Sequence, residues 1–428
     1  MADLKFPFGK EKIEYTIPDE RLTEVLESGL HHYRPTADEV TLVREAMEHP
    51  IGSAPLCELA RGKQKVVIIA SDHTRPVPSK VIMPLMLSEI RRGNPDADIT
   101  ILIATGCHRE TTKEELVGKF GAEIVEREKI YIHDCDDTAM LKNIGVLPSG
   151  GACIVNRLAV EADLLVAEGF IEPHFFAGYS GGRKSVLPGI CSRQTVLANH
   201  CAEFIDSPYA RTGILDGNPI HKDMVWAAHR AGLSYIVNVV INAEKKVVYA
   251  ACGGLEEAHK AGCDFLSQYC GAKSRGSDIV ISTNGGYPLD QNIYQSVKGM
   301  TAAEAAVNEG GVIVMLASAT DGTGGDEFYR CMKAKDDVRE IYADIMTRDR
   351  AHTISDQWMT QILSRILMKA RVIYVSKADP DLVRGYHLIP ASDLPGAVAM
   401  AEELLGNKQA KITAIPDGVS VMVMREDA

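Results

Sequence analysis

The sequence lacks the features that would place it in a membrane, in a secretory pathway or on a nucleic acid. Its apolar runs, such as residues 312–317, are far shorter than the roughly 20 residues that a membrane-spanning helix needs. Residues 1–10 mix acidic and basic side chains and hold no apolar signal-peptide core. No four Lys or Arg residues occur in a row, and the net charge is −12. We therefore expect neither a membrane nor a nucleic-acid partner.

Cysteine motifs are also missing, although the chain holds 10 cysteines. None forms a C-x-x-C pair, which argues against a zinc knuckle or a thioredoxin-like site. Scattered thiols without a signal peptide are typical of a reducing compartment, so we predict a cytoplasmic protein.

Hydrophobic residues make up 46% of the chain and charged residues 24%, which are the proportions of a globular protein. A length of 428 residues predicts two or three domains.

Short β-branched runs alternate with amphipathic segments along the chain. The runs are nearly all apolar, as in strands buried on both faces, and cover residues 66–70, 99–104, 164–167, 236–241, 279–283, 312–316 and 372–376. Helices are predicted at 80–92, 256–267, 301–308 and 358–369. This alternation predicts an α/β fold with mainly parallel sheets. The breaker-rich segment 271–277 predicts a boundary, and hence two α/β domains over 1–268 and 269–428.

Polar loops follow the first two predicted strands, at the sheet edge where open α/β folds bind ligands. The first loop carries Asp72, His73, Thr74 and Arg75. A helix N-terminus and the Arg75 guanidinium could bind an anion there. The alternative is that Asp or Thr only caps the helix and that the arginine is an ordinary surface residue. The second loop places His108 where an imidazole could act as an acid or base. A plain polar surface loop is the alternative.

The densest polar segment spans residues 168–189 and joins several glycines to His174, Arg183 and Lys184. It misses the phosphate-loop pattern GxxxxGK[ST] by one residue, because Arg183 stands where a glycine is required after Gly178. A phosphate-loop NTPase is therefore disfavoured. Glycines would let a ligand approach the backbone, and Lys184 is a candidate nucleophile beside a second cation. The alternative is a solvated basic loop.

Two further segments carry isolated candidates. His200 could bind nickel, copper, zinc or iron, but no helical metal spacing relates it to His174, and a structural histidine is the alternative. Gln295 and Lys298 follow the strand at 279–283 and share one face of an expected helix. They could hydrogen-bond one small acid, or they could form an ordinary solvated face.

Together, these segments resemble the nickel-pincer lactate racemase family. The similarity runs from Ile51 to about residue 424 and rests on the stretches SDHTRPVP, EGFIEPHFFAGYSGGRKSVLPGI, ANH, IHKDM and STNGGYPLDQNIYQSVKGMTAAEA. The resemblance implies an isomerase that interconverts D- and L-lactate in an interdomain cleft. It also suggests that the segment at about 410–428 returns to the N-terminal domain.

The resemblance further implies a nickel-pincer nucleotide, Ni(II)-pyridinium-3,5-bisthiocarboxylic acid mononucleotide, supplied by separate cofactor-biosynthesis enzymes. The covalent tether of the family maps onto Lys184, and its nickel-binding histidine maps onto His200. The other positions that map onto cofactor contacts are Asp72, His73, Thr74, Arg75 and Trp358.

The reaction that the resemblance implies is proton-coupled hydride transfer through pyruvate. Two histidines that alternate as base and acid map onto His108 and His174, and substrate contacts map onto Arg75, Gln295 and Lys298. Abstracting a proton from the carbon beside the carboxylate is difficult, because a second negative charge develops next to the first. Removing a hydride instead avoids that charge.

Two alternatives stay open. The substrate could be another 2-hydroxy acid, such as malate or a longer-chain acid, which would need a further cation or more apolar volume. A non-catalytic protein that binds or delivers the nucleotide is a second alternative. The presence of both His108 and His174 argues against it, because storage needs no acid–base pair.

Overall fold

The computed structural model describes residues 1–426. Contacts divide the chain into two units. The first unit comprises Leu30–His200 and Tyr209–Gln268. The second unit comprises Met1–Gly29, Cys201–Pro208 and the described chain from Tyr269 onward. Within residues 1–426, no helix is both long and apolar enough to cross a membrane.

The strands and helices alternate along much of the chain. The strands are β1 (Ala2–Phe8), β2 (Glu11–Ile17), β3 (Leu22–Val25), β4 (Lys65–Ser71), β5 (Asp98–Ala104), β6 (Lys129–Ile132), β7 (Leu141–Val146), β8 (Ala152–Asn156), β9 (Leu164–Phe170), β10 (Pro173–His174), β11 (Gly178–Tyr179), β12 (Leu233–Ile241), β13 (Val247–Gly253), β14 (Gly271–Ser274), β15 (Ser277–Thr283), β16 (Val307–Leu316), β17 (Arg371–Val375), β18 (Ile389–Ala391), β19 (Ile412–Ile415) and β20 (Met422–Arg425). The α-helices are α1 (Glu39–Glu48), α2 (Leu56–Leu59), α3 (Ser79–Gly93), α4 (Lys113–Phe120), α5 (Ala122–Arg127), α6 (Arg157–Val160), α7 (Arg193–Asn199), α8 (Ala202–Asp206), α9 (Pro219–Ala231), α10 (Leu255–Cys270), α11 (Ile293–Ala306), α12 (Asp326–Lys333), α13 (Val338–Met346), α14 (Gln357–Lys369), α15 (Pro380–Gly385) and α16 (Leu394–Leu405).

The first unit is built on a sheet with strand order β13-β12-β9-β4-β5-β6. Its strands run parallel except for β13, which is antiparallel to β12. Strand β4 pairs with β5 on one side and with β9 on the other, so the chain order reverses between β4 and β9. Ligands bind outside the carboxyl ends of strands at such a reversal. The loops that follow β4, β5 and β9 therefore share one edge of the sheet.

Burial on both faces explains the apolar sequence of these strands. The residues of β4 from Val66 to Ala70 are all buried, and β9 is buried throughout. Helix α3 places Ile82, Met86 and Ile90 at spacings of four residues, which keeps them on the face that joins the same core. The packing of the sheet thus fixes the strand ends from which the polar loops start.

The second unit contains a parallel sheet with strand order β18-β17-β16-β15-β19-β3. The hairpin of β1 and β2 adds Phe6, Phe8 and Ile17 to a core that also holds Ile281 and Val314. Both sheets confirm the predicted α/β class with mainly parallel strands.

The division of the chain differs from two continuous domains. Residues 1–29 belong to the second unit, because β3 pairs with β19 and the β1–β2 hairpin contributes apolar side chains to that core. Residues 201–208 also belong to the second unit. The sequence alone expects both segments in an N-terminal domain over 1–268.

The end of the chain also differs from the expectation. Strand β20 pairs in parallel with β14, and both belong to the second unit, so this strand does not return to the first unit. The predicted linker at 271–277 therefore contains a paired strand. Residues 427 and 428 of the predicted returning segment lie outside the described residues. The helix predicted at 301–308 ends at Ala306, where the chain enters β16.

We expect Val314→Ala in β16 to lower the free energy of unfolding by about 2 kcal/mol, because it leaves a cavity in a closely packed sheet. The measurement is a urea unfolding curve. Val146→Ala is the matched control, since Val146 is 60% exposed, and it should change the free energy by less than about 0.5 kcal/mol. Equal losses in the two variants would contradict the assignment of β16 to the core.

Candidate functional site

The turn after β4 is organised around the buried carboxylate of Asp72. Its Oδ1 accepts hydrogen bonds from the Thr74 hydroxyl at 2.7 Å and from the Thr74 backbone N–H at 3.2 Å. Its Oδ2 lies 2.7 Å from Nδ1 of His108, which comes from the loop after β5. Arg75 Nη1 donates to the Thr74 hydroxyl at 2.9 Å, and its side chain is exposed. Two loops predicted separately from the sequence are thus joined at the edge of the sheet.

The charge of Asp72 is stable at neutral pH. Burial raises the pKa of this carboxyl, but hydrogen bonds from His108 and Thr74, with the charges of His108 and Arg75, outweigh burial and hold the pKa at about 2. The carboxylate fixes the Nδ1 side of His108, whose side chain is 45% exposed. Nε2 of this imidazole is therefore the nitrogen that can exchange a proton with a ligand.

His73 contacts residues at the start of α4 and not the Asp72 carboxylate. Its Nδ1 lies 3.0 Å from Oγ1 of Thr111 and 3.8 Å from Oε2 of Glu115. Burial lowers the pKa of the His73 imidazole, against the opposing charges of Asp72 and Glu115. His73 therefore fastens the turn to the start of α4.

The loop after β9 is held by the buried guanidinium of Arg183. Arg183 Nη2 donates to the carbonyl of Ala177 at 2.7 Å, and Nη1 donates to the carbonyl of Ser180 at 3.2 Å. Nε donates to Nδ1 of His221 at 3.0 Å, and Nη1 lies 2.9 Å from Nε2 of His259. Burial lowers the pKa of Arg183 to about 10. The sequence predicts Arg183 as a second cation beside Lys184 in the loop. In the structure, the Arg183 side chain is buried and its hydrogen bonds hold the loop together.

Two glycines of this loop are required by close packing within the protein itself. A Cβ at Gly178 would lie 2.4 Å from the carbonyl oxygen of Ile214, and one at Gly181 would lie 2.6 Å from Oδ1 of Asn238. Both glycines also have positive φ angles, 77° and 75°. Gly182–Ser185 forms a single 3₁₀ turn, which is unlike the long helix that follows a phosphate loop.

His174, Lys184 and His200 meet around the ring of Phe176. Nζ of Lys184 lies 3.4 Å from Nε2 of His174 and 5.7 Å from the centroid of Phe176. The Phe176 ring makes edge contacts with His174 at 4.5 Å and with His200 at 5.1 Å between centroids. Three residues that sequence spacing alone does not relate are therefore gathered in one cluster. Phe176 was not a sequence candidate, although its place in the EPHFF stretch is a usable signal.

His200 is held as a neutral imidazole. It ends α7, and its Nδ1 lies 3.0 Å from the carbonyl oxygen of Val196, which makes Nδ1–H the donor. Nε2 then carries the lone pair that metal ligation requires. Burial, and next the charge of Lys184, lower the pKa of His200 to about 3. The imidazole is therefore not protonated at neutral pH.

Within residues 1–426, Asp134, Cys135 and Asp136 form the one set of three His, Cys, Asp or Glu side chains with ligand atoms close enough to share an ion. Asp136 is already paired with Arg193 at 2.7 Å. His200 lies outside this set. Among residues 1–426, His200 therefore belongs to no set of three such side chains that could hold an ion without further ligands.

The remaining candidates, Gln295, Lys298 and Trp358, belong to the second unit. Gln295 and Lys298 are half-buried on α11, whose start is capped by Asn292. Trp358 Nε1 donates to the hydroxyl of Tyr294 at 3.2 Å.

The loop before α11 is anchored by a buried carboxylate that the sequence did not single out as a site. Oδ2 of Asp290 accepts the N–H groups of Gly9 at 2.6 Å and Ser318 at 3.0 Å. Asp290 therefore ties the loop to the N-terminal hairpin and to the end of β16.

Comparison with known proteins identifies the family. A family model described as the lactate racemase N-terminal domain matches residues 8–213, and one described as the lactate racemase C-terminal domain matches residues 272–423. The chain belongs to the lactate racemase family. A lactate racemase from Thermoanaerobacterium thermosaccharolyticum is 52% identical over 424 residues, which cover 99% of each chain. One from Lactiplantibacillus plantarum is 52% identical over 425 residues, covering 99% of this chain and 100% of the relative.

Solved structures agree with this membership of the lactate racemase family. The lactate racemase apoprotein from T. thermosaccharolyticum matches with a TM-score of 0.96 and 52% identity, over 99% of this chain and 100% of that chain. A protein from Thermotoga maritima matches with a TM-score of 0.67 over 91% of this chain and 100% of that chain, but at 19% identity it shows the fold alone. As a member of the family, the chain is an isomerase of the racemase class.

We expect the stability of the ligand-free protein to fall as the pH drops below about 6.5, in part because of His221. Burial, and next the charge of Arg183, lower its pKa to about 3, so the unfolded chain binds a proton that the folded chain does not. The resulting stability is present above the unfolded pKa and is lost on acidification. His221→Asn keeps an acceptor for Arg183 but does not titrate, and should reduce the loss between pH 7 and pH 5 by about 2 kcal/mol in urea unfolding.

The matched control for this measurement is His229→Asn, at an exposed histidine on the same helix, α9. Its pH dependence should follow that of the unmodified chain. An unchanged pH dependence in His221→Asn would show that the His221 imidazole is not held buried and neutral in the folded chain.

Proposed function

We propose that the chain interconverts D- and L-lactate by proton-coupled hydride transfer through pyruvate. The observation that carries the proposal is the cluster of His174, Lys184 and His200 around Phe176, on the sheet edge that also presents the Asp72–His108 pair. The names of the relatives that are 52% identical over almost the whole chain support lactate as the substrate.

The residues of this cluster fit the nickel-pincer nucleotide. A neutral imidazole with a fixed tautomer suits nickel, and among the described residues His200 belongs to no set of three potential metal ligands. A pincer that brings its own sulfur and carbon ligands would complete such a site. Lys184 would carry the covalent link, and the Asp72–Arg75 turn would hold the phosphate and ring. When bound, the group supplies a reversible acceptor for the hydride of the substrate carbon.

The protein's own contribution to the reaction is proton transfer. One histidine accepts the hydroxyl proton of lactate as the hydride leaves the carbon. After the flat 2-oxo acid has turned, the other histidine donates a proton to its carbonyl oxygen as the carbon regains the hydride on the opposite face, and the two histidines exchange these tasks in the reverse direction. Asp72 favours this role for His108, because its contact with Nδ1 fixes the orientation of the ring and leaves Nε2 for proton exchange. Nε2 of His174 lies 3.4 Å from Nζ of Lys184, so His174 would exchange its proton beside the residue that we assign as the covalent link to the cofactor.

Substrate binding needs cations, because lactate and pyruvate each carry a carboxylate. The exposed guanidinium of Arg75 can bind a carboxylate with two hydrogen bonds. We assign Gln295 and Lys298 as further substrate contacts and Trp358 as an aromatic contact of the cofactor. We also propose that separate biosynthetic enzymes make the nucleotide and that the protein acts in the cytoplasm.

We expect protein that is co-produced with the cofactor-making enzymes to carry a sulfur-containing mononucleotide adduct on Lys184. Intact mass spectrometry with peptide mapping around 178–189 measures it. Lys184→Arg keeps the positive charge but should abolish both the adduct and lactate racemisation. Turnover of lactate by protein with an unmodified Lys184 would refute the covalent cofactor.

We expect His108→Asn and His174→Asn each to lower kcat for lactate by about 100-fold or more, because each removes an acid–base group. D- and L-lactate have equal energies, so kcat/KM must fall by the same factor in both directions. His49→Asn, at an exposed histidine of the first unit, is the control and should leave the rate unchanged.

The outcome of this comparison also separates the alternatives. Full activity in either variant would contradict the assigned base. Faster turnover of malate than of lactate by the unmodified loaded chain would exclude lactate as the preferred substrate. A loaded chain that turns over neither acid would favour the non-catalytic, cofactor-binding alternative.

A further inference from the structure

An acidic side chain lies inside the first unit without a role in the reaction described above. Glu168 is 1% exposed near the end of β9, and its neighbours Ala167, Gly169 and Phe170 are buried as well. Burying a carboxylate costs more than burying an apolar side chain of similar size, and replacing such a group often stabilises a protein. Stability alone therefore does not account for Glu168.

The contacts of Glu168 lead to the turn that carries Arg75. Oε1 accepts a hydrogen bond from the hydroxyl of Ser79 at 2.6 Å, and Ser79 is the first residue of α3. The backbone N–H of Ser71, the last residue of β4, also stabilises the carboxylate. Glu168 therefore interacts with both ends of the connection between β4 and α3.

A second contact reaches Arg75 itself. Nζ of Lys119 donates to the backbone carbonyl of Arg75 at 3.2 Å. Burial raises the pKa of the Glu168 carboxyl, and the charge of Lys119 and the hydrogen bond from Ser79 oppose that rise. Oε2 of Glu168 is buried and has no hydrogen-bond partner among residues 1–426, so the hydrogen bond to Ser79 is made by the other oxygen alone.

We propose that Glu168 is a positioning residue for Arg75. Through Ser79 and Lys119 it fixes the connection between β4 and α3, so that the guanidinium is presented to an anion in one orientation. This inference rests on the proposed function, because it takes Arg75 as the group that holds the substrate carboxylate. Preorganisation of this kind lowers the cost of binding without adding a contact to the substrate.

The test uses Glu168→Gln, which keeps the shape of the side chain and an acceptor for Ser79 but removes the ionisable group that interacts with Lys119. In the ligand-free full chain, amide hydrogen exchange of peptides covering 71–79 should become at least about fivefold faster, with the rest of the first unit unchanged. In the loaded enzyme, the KM for lactate should rise about tenfold, while kcat falls less than about threefold. Lys184 loading, measured by intact mass, should be unchanged.

Two comparisons separate positioning from a general structural effect. Glu24→Gln is the matched control, because Oε1 of Glu24 also accepts a serine hydroxyl, that of Ser274, at 2.6 Å, but within the second unit. It should move neither the exchange of 71–79 nor the KM. Lys119→Met should raise the KM as Glu168→Gln does, and the double variant should be no worse than the more affected single variant, since both act through one path.

Three results would overturn the inference: unchanged exchange in 71–79, faster exchange with an unchanged KM, or additive effects in the double variant. If Glu168→Gln does not fold, Ser79→Ala removes only the hydroxyl donor and takes its place, with the same two readouts. Failure of the proposed function would look different: the unmodified loaded chain would not racemise lactate, whereas the exchange measurement would still report whether Glu168 holds the turn.

Discussion

The pairing of β4 with β5 on one side and β9 on the other is the constraint on which the candidate site depends. It brings three loops that are up to about a hundred residues apart in sequence to one edge of a buried sheet. Every polar contact described in the first unit, from Asp72–His108 to the cluster around Phe176, presupposes this alignment. Strands β4, β5 and β9 carry none of the proposed reacting groups, yet their register decides which loop residues can meet.

Buried ionisable side chains organise the loops at this edge. Arg183, Asp72 and Glu168 are each about 1% exposed, and each is bonded to atoms of a loop or of a strand end. A charged group inside a protein tolerates few arrangements of its neighbours, because each lost hydrogen bond leaves an uncompensated charge. The loops thereby gain order that glycine-rich and polar sequences do not have by themselves. The cost is sensitivity to acid, since several neighbouring histidines stay neutral only while folded.

The sequence predicted the parts of the structure that depend on local pattern. Apolar runs such as those of β4 and β9 identify buried parallel strands, and the loops after them are recognisable because polar residues follow abruptly. It did not predict that residues 1–29 join the second unit, because pairing of β3 with β19 is a long-range choice without a local signature. The buried position of Arg183 has no local signature either, because a basic residue in a glycine-rich loop is ordinarily solvated, and the imidazoles that contact its guanidinium come from distant parts of the chain. The segment that carries Gln295 and Lys298 lies at the start of α11 as expected. Its anchor, Asp290, depends on contacts with Gly9 and Ser318 that spacing does not reveal.

The route of the chain through the second unit has a consequence for its synthesis. Leu22 of β3 pairs with Ile412 of β19, 390 positions later, while the first unit is made in between. At about 5–20 residues per second, the N-terminal segment emerges roughly 20–80 s before its partner strand exists. During that time the β1–β2 hairpin is too small to be stable alone, and its apolar side chains have no core to enter. The nascent chain thus exposes the apolar side chains of residues 1–29 without their core, and the sheet of the second unit can close only after β19 has been made.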